Sequence, residues 1–376
     1  MKEENKLLEV AKVFFKLGCF AFGGPAAHIA MMEEEVVTKR KWMTREHYLD
    51  LIGATNLIPG PNSTEMTMHC GHERAGKRGL FVAGIAFIFP AIVITGLLAF
   101  LYVEYGQLPE LAPFIFGIKP AVLAIIASAV IKLGKKALKN WELGILGAAV
   151  LGLSIFGINE VLALLGAGIV GAIIFYSKSK ITNKTISILP FFLLQIPTNV
   201  TVKLTSLKVF LTFLKVGAIL YGSGYVLFAY LDAELVETGL MTRQALLDAI
   251  AVGQFTPGPV LSTATFIGYQ LTGFWGALAA SAGIFLPSFL FVLLLNPLIP
   301  KMRKSLFLSA FLDSVNVAAV AIMAGVLYVM SLETITDWKG IIITLISIII
   351  TFWFKKISVM WTIAGGAVLG YLLHLI

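Results

Sequence analysis

Met43–Pro61 reads MTREHYLDLIGATNLIPGP, and Met241–Pro259 reads MTRQALLDAIAVGQFTPGP. At a constant offset of 198, nine of the 19 positions are identical, including Asp50 with Asp248 and Pro59-Gly60-Pro61 with Pro257-Gly258-Pro259. The likeness extends outward. Upstream, Phe14-Phe15-Lys16-Leu17-Gly18 matches Phe213-Leu214-Lys215-Val216-Gly217, and Phe22-Gly23-Gly24 matches Tyr221-Gly222-Ser223. Downstream, Gly71, Gly76, Gly79 and Pro90 match Gly268, Gly273, Gly276 and Pro287. Chance matching does not sustain this over so long a register, so the chain is a duplication. Its expected organisation is a first repeat over 1–184, a linker over 185–203 that is itself open to being a crossing, and a second repeat over 204–376.

The medium follows from composition. Apolar residues make up 58% and charged residues 13% of the 376, against about 25% charged in soluble domains, and the mean hydropathy is +0.89. Apolar runs at 80–101, 113–131, 141–157, 161–176, 277–295, 307–330, 341–354 and 358–373 are mostly near the roughly 20 residues a helix needs to cross a bilayer. Their length and lack of period-2 alternation exclude strands. The fold class is therefore an all-α polytopic membrane protein. The net charge of +8 comes from short basic clusters between apolar runs, as the positive-inside rule predicts, and is no signal for nucleic acid. A cleaved signal peptide is not expected, because Lys16 and Gly23-Gly24-Pro25 interrupt the first apolar segment. Cys19 and Cys70 have no CxxC context and read as packing residues. No nucleotide loop or Ser-His-Asp arrangement is present, so neither an enzyme nor a cofactor is expected.

Charge then orients the halves. Lys39, Arg40, Lys41 and Arg45 in the first half face Asp232, Glu234 and Glu237, with Arg243 as the one base, in the second, while Arg74, Lys77 and Arg78 face the uncharged 270–275. The sign reverses next: Glu104 and Glu110 oppose Lys301, Arg303 and Lys304. Lys132, Lys135, Lys136 and Lys139 oppose Glu333, Asp337 and Lys339, and Glu160 opposes Lys355 and Lys356. With basic loops cytoplasmic, the halves form an inverted repeat in the inner (plasma) membrane with the C-terminus outside.

Two kinds of segment are broken. Leu51–Cys70 carries Pro59-Gly60-Pro61, and basic clusters flank it on both sides, so it is expected to enter and leave on one face as a re-entrant hairpin. Ala249–Ile267 is its counterpart. Val10–Ile29 breaks at Phe22-Gly23-Gly24-Pro25, and Val209–Ala229 at Tyr221-Gly222-Ser223-Gly224; crossing and turning back are both open for Val10–Ile29. A helix that starts after a break presents unpaired N–H groups and about half a positive charge. The prolines suit first-turn positions, and glycine permits close approach. Two such ends converging suit a small tetrahedral oxyanion. Side-chain donors are expected from Asn56, Asn62, Ser63, Thr64, Gln254, Ser262 and Thr263.

Each polar outlier has a plain reading beside the functional one. Lys16 and Lys215, inside apolar segments, are candidate ligands or snorkel to the interface. Lys119, with Asn316 as its counterpart, is a candidate anion contact or an ordinary helix-start residue. Glu65, replaced by Thr263 in the second half, is a candidate for proton coupling or a first-turn carboxylate favoured by the dipole. His28 could bind the anion or be a polar interface residue. His69 and His72 lack further ligands, so no metal is expected. Glu33-Glu34-Glu35 reads as a solvated helix end.

Phe22-Gly23-Gly24-Pro25 with His28 and 32–36, Trp42, Asn56 through Pro61 with Thr64, Gly71, Arg74-Ala75-Gly76, Gly79 and 87–90 together resemble the chromate ion transporters. So do Thr256-Pro257-Gly258-Pro259, Gly268, Gly273 and 285–287 in the second half, so the long two-domain form is the one resembled. The resemblance implies efflux of chromate, with sulfate as analogue or competing substrate. It points to 22–25, 56–64, Lys16, Arg74 and Lys119. The halves differ where Ser223-Gly224 replaces Gly24-Pro25 and Val260-Leu261 replaces Asn62-Ser63, so more of the ligand contacts are expected from the first half.

A dianion leaving a negative interior gains about 4.6 kcal/mol per 100 mV, whereas potential-driven uptake needs at least about three protons per dianion. The expectation is a secondary carrier driven by membrane potential, a proton gradient or both. The rivals are a passive anion channel, sulfate uptake, an intramembrane enzyme or a scramblase. A homodimer is left open as partner, beside the oxyanion and the bilayer.

Overall fold

The computed structural model describes residues 3–179, 205–295 and 305–375, except 23, 56, 57, 107, 157, 159, 222, 223, 225, 355 and 356. Gly23, Asn56, Gly222, Ser223 and the 185–203 linker lie outside the described residues. Among the described residues every regular element is helical.

The first half opens with α1 (Glu3–Phe20), which stops where Gly24 takes φ 80° and Pro25 occupies the first turn of α2 (Pro25–Glu33). A π-helical turn, Glu34–Lys39, continues α2. Helix α3 (Arg45–Thr55) runs into the Pro-Gly-Pro break, and α4 (Asn62–Tyr105) leaves it. Helices α5 (Ala112–Ala137), α6 (Trp141–Ile155) and α7 (Glu160–Ser179) complete the half.

The second half repeats this order. It comprises α8 (Ser206–Ile219), the short α9 (Leu227–Leu231) with its π turn Asp232–Val236, and α10 (Arg243–Phe255). A 3-10 turn (Val260–Ser262) leads into α11 (Thr263–Leu295), followed by α12 (Leu306–Thr334), α13 (Trp338–Trp353) and α14 (Val359–His374). Helices α4, α5, α11 and α12 are long and apolar enough to cross a membrane. Large apolar side chains such as Ile85 (58% exposed), Ile145 (61%) and Leu294 (63%) cover the outside, where only lipid would tolerate so many of them.

The first unusual feature is a sharp bend shared by α4 and α11. Ala75 and Gly76 take φ/ψ of −145/28° and 61/−154°, and Thr272 and Gly273 take −145/27° and 69/−154°. Each bend folds a short return limb against a long one. Glycines make that possible: a Cβ on Gly71 would lie 2.3 Å from the Gly79 carbonyl oxygen, and one on Gly268 2.2 Å from that of Gly276. The limbs touch backbone to backbone, as small residues allow. The expected hairpins thus exist: α3 enters, the break turns the chain, and the return limb ends at the bend.

The prolines sit one step earlier than first-turn positions. Pro61 caps α4 with φ −80° and ψ 104°, and Pro259 caps the 3-10 turn with φ −69° and ψ 132°. The extended backbone there carries the glycine amide across to the opposite half.

The halves interlock by exchange. Helix α1 packs on α4 and α8 on α11, with Gly18 against the Phe87 carbonyl and Gly217 against that of Ile284. Beyond the hairpins each long helix packs on the other half: α5 against α13 and α14, α12 against α6 and α7. Gly117 meets the backbone of Gly366 and Gly370, and Gly171 meets Ser314 in the mirrored crossing. One hydrophobic core therefore draws on both repeats, with Val122, Ile126 and Leu164 beside Phe228, Leu247 and Ile322.

Candidate functional site

The two breaks meet. Gly60 N donates to the Leu220 carbonyl at 2.6 Å, and Gly258 N donates to the Ala21 carbonyl at 2.9 Å. Each hairpin tip is thereby bound to the broken first helix of the opposite half. Gly60 takes φ 139° and Gly258 φ 84°, in the region that glycine enters without strain.

The first-half tip is the more polar. Glu65 is fully buried in the first turn of α4, and among the described residues neither carboxylate oxygen has a hydrogen-bond partner. A Cβ on Gly60 would lie 2.2 Å from Glu65 Oε1 and 2.5 Å from Ser288 Oγ, so α11 brings a serine from the other half to the same point. Ser288 Oγ and Thr64 Oγ1 are also buried, with no partner among the described residues. At the second-half tip no polar side chain comes as close: the Cβ position of Gly258 faces Ala91 Cβ at 2.9 Å and the carbonyl oxygens of Gly18 and Phe87 at 3.3 and 3.8 Å. Ser262 accepts a cross-half bond from Thr95 at 3.2 Å, and Thr263 turns back onto the Val260 carbonyl at 2.7 Å. Buried polar groups left unpaired are costly, so an unsatisfied carboxylate with two hydroxyls around a helix N-terminus is a candidate place for a ligand or a proton.

The structure gathers Gly24, Pro25, His28, Pro59, Gly60, Pro61, Ser63, Thr64, Glu65, Pro257, Gly258, Pro259 and Ser262 around these crossed breaks. His28 is buried, its Nε2 lies 3.1 Å from the Ala21 carbonyl, and its ring stands edge-on to Phe87. Ala21 O therefore faces both His28 and Gly258. Gln254, at the end of α10, is buried, and its Nε2 has no partner among the described residues. Phe22 and Asn62 are partly exposed at the edge.

The lysines lie elsewhere. Lys215 is held by Glu234 of its own π turn at 2.5 Å, whereas Lys16 stays largely exposed, 4.0 Å from a Glu35 that Lys39 approaches to 3.1 Å. Arg45 with Glu33 (2.9 Å) and Arg243 with Asp232 (2.8 Å) form the next equivalent pair. Arg74 binds Glu9 at 2.6 Å and stacks over Trp42. Lys119 stands 3.4 Å from Asp248, which also accepts the Tyr102 hydroxyl at 2.6 Å.

Sequence reasoning did not find Ser288, Tyr102 or the two acceptor carbonyls. Ser288 had a signal, since the repeat aligns it with Ala91 and so marks a polar replacement inside an apolar run. Backbone carbonyls leave no such trace.

Interlocked helical repeats that exchange contacts through broken helices define a polytopic membrane transport protein. The chain belongs to the chromate transporter family: the family's model matches residues 8–172 and again 207–371. A probable chromate transport protein of Synechococcus elongatus is 30% identical, covering 93% of both chains. The chromate transport protein of Cupriavidus metallidurans is 30% identical over 97% of this chain and 92% of its own. An uncharacterised transporter of Bacillus subtilis is 30% identical over 47% of this chain but 91% of itself, a relative the size of one repeat. No solved structure matches.

Proposed function

We propose that this protein exports a divalent oxyanion, chromate with sulfate as its analogue, across the inner membrane, and that the anion binds between the crossed Pro-Gly-Pro tips. The pair of reciprocal hydrogen bonds, Gly60 to Leu220 and Gly258 to Ala21, carries this reading. They bring both tips to one interface between the repeats, where alternating-access carriers keep their substrate. The N-terminus of α4 adds a positive helix end, and Ser63, Thr64, His28 and Ser288 add polar atoms. The relatives named above as chromate transport proteins supply the substrate class.

The repeats are inverted in this reading. His47, in the first turn of α3, pairs with Glu73 beside the bend of α4, whereas Asp248 of α10 meets Tyr102 near the far end of α4. The limb between, Lys77–Tyr105, is about 43 Å long at ~1.5 Å per residue, so equivalent helices start at opposite ends of it. Basic loops beside the bend put that end in the cytoplasm and the C-terminus outside.

Membrane potential drives export, and Glu65 is the position of proton coupling. A carboxylate at Gly60 repels a dianion unless it carries a proton, which links anion and proton occupancy. The test is flux of radiolabelled chromate and sulfate into inside-out vesicles at clamped potentials. Saturable flux that accelerates when the vesicle lumen is made positive supports the reading. Flux that accelerates in the opposite sense overturns the direction, and currents without saturation favour a channel.

A further inference from the structure

Away from the tips, a cavity of about 370 Å³ opens between the end of α4, the start of α5 and the start of α10. Its lining includes Tyr102, Phe116, Lys119, Thr242, Gln244 and Asp248. A smaller cavity of about 140 Å³ shares Phe116, Lys119 and Gln244 and reaches Glu333. Arg243, next to Gln244 in the chain, is engaged by Asp232 and Glu333. Lys119, by contrast, faces the cavity with one looser partner, Asp248 at 3.4 Å. The side chains of Lys119 and Asp248 are 17% and 7% exposed, so water screens the pair weakly.

We infer that this cavity is a second anion station, in which Lys119 binds the oxyanion and Asp248 is a resident competitor for the same ammonium. This rests on the oxyanion reading above. The geometry fits an exchange. Tyr102 holds Asp248 at 2.6 Å, so the carboxylate keeps a strong partner when the ammonium turns to a ligand. Gln244 lies where its amide can donate to the bound anion. The station belongs to one face alone: the repeat puts Asn316 in place of Lys119, and the counterpart of Asp248 is the exposed Asp50. By the orientation above it lies at the outer mouth, on the exit path of the tips.

A structural ion pair and a competing one predict different signs. If the pair only holds α10 to α5, Lys119→Gln and Asp248→Asn weaken the protein alike and leave affinity unchanged. If Asp248 competes, Asp248→Asn tightens anion binding and Lys119→Gln weakens it, each by about fivefold. Tyr102→Phe leaves Asp248 with Lys119 alone and weakens binding as well. Equilibrium binding of radiolabelled sulfate and chromate to the purified full-length protein reads these shifts, with thermal stability recorded beside it. Opposite shifts for Asp248→Asn and Lys119→Gln are expected. Should either variant fail to fold, Tyr102→Phe with the surviving one still reads the sign. Parallel or absent shifts overturn the station. Gly60→Ala separates the two proposals: if it leaves transport intact while the Lys119 and Asp248 shifts persist, the central site fails and the station stands. Wild-type protein that binds neither anion overturns both.

Discussion

The amide of Gly60 and the carbonyl of Leu220 lie 2.6 Å apart across the boundary between the repeats, and Gly258 repeats the contact with Ala21 at 2.9 Å. The two glycines make the same cross-repeat bond in unlike surroundings, so their substitutions should separate function from stability. Both carry positive φ, and a side chain there costs about 1–3 kcal/mol. At Gly60 a new Cβ meets the movable ends of Glu65 and Ser288, while at Gly258 it meets Ala91 and the Gly18 backbone. Gly60→Ala should fold but lose at least about tenfold in transport, as the displaced carboxylate spoils the tip. Gly258→Ala should show the larger drop in thermal stability. Flux and melting temperature, measured on the same preparations, check the contrast.

Glu65→Gln keeps the shape of a fully buried side chain and removes its ability to exchange a proton. The expected variant is stable and still moves anion under a clamped potential, but its flux no longer responds to an imposed pH gradient. If its response equals that of the wild type, Glu65 is not the coupling group and the proton route must be sought elsewhere.

Much of this architecture is legible in the chain because backbone breaks need particular residues. The Pro-Gly-Pro tips, the Gly76 and Gly273 bends and the Gly71/Gly79 contact each require glycine or proline, so duplication leaves them aligned. Charge placement works the same way, and the swap of basic for acidic loops between the repeats is visible without coordinates. What the sequence hides is partnership. Lys16 and Lys215 look alike as charges inside apolar segments, yet Glu234 binds Lys215 at 2.5 Å while Glu35 stands 4.0 Å from Lys16. Those acids belong to π turns that shift the register by a residue, which no helical periodicity predicts. Lys119 is likewise incomplete without Asp248, 129 positions away, and only the folded chain joins them.

The Glu9–Arg74 pair should govern acid stability of the first half. Burial alone would raise the Glu9 pKa, but hydrogen bonds from Arg74 and Trp42, with Arg40 nearby, outweigh it and hold the carboxyl below its ordinary value. A depressed carboxyl contributes its stability above the unfolded-state pKa and loses it as pH falls through the folded value. Thermal stability of the wild type should therefore decline on acidification below the ordinary carboxylate range, and Glu9→Gln should flatten that part of the profile. Arg74→Lys should recover little, because a lysine cannot reproduce the two-nitrogen contact with Glu9 or the stacking on Trp42.

The bend of α4 offers a contrast between two glycines three residues apart. Around Gly76 there is open space, and its requirement is the positive φ alone. Asparagine tolerates that conformation and valine does not, so Gly76→Asn should cost clearly less stability than Gly76→Val. At Gly79 the obstacle is the Gly71 carbonyl, 2.1 Å from a new Cβ, and every side chain meets it. Gly79→Ala should then destabilise as much as larger replacements do, since the limbs must part in each case. Melting temperatures of these three variants and of Gly79→Val, in one detergent, test both statements.

If the repeats are inverted as proposed above, equivalent loops face opposite sides of the membrane. Lys41, just beyond the π turn of the first half, and Glu237, just beyond that of the second, are both exposed. Parallel repeats would give them the same access. With Cys19 and Cys70 replaced by serine, single cysteines at Lys41 and at Glu237 should react differently with a membrane-impermeant maleimide on intact cells. Glu237→Cys should label from outside, and Lys41→Cys only after the cells are opened. His47 with Glu73 at one end of the long limb, and Tyr102 with Asp248 near the other, require this outcome if that limb crosses the bilayer. Labelling of both positions from the same side would mean that Lys77–Tyr105 does not span, and the crossed tips would then need a different relation to the membrane.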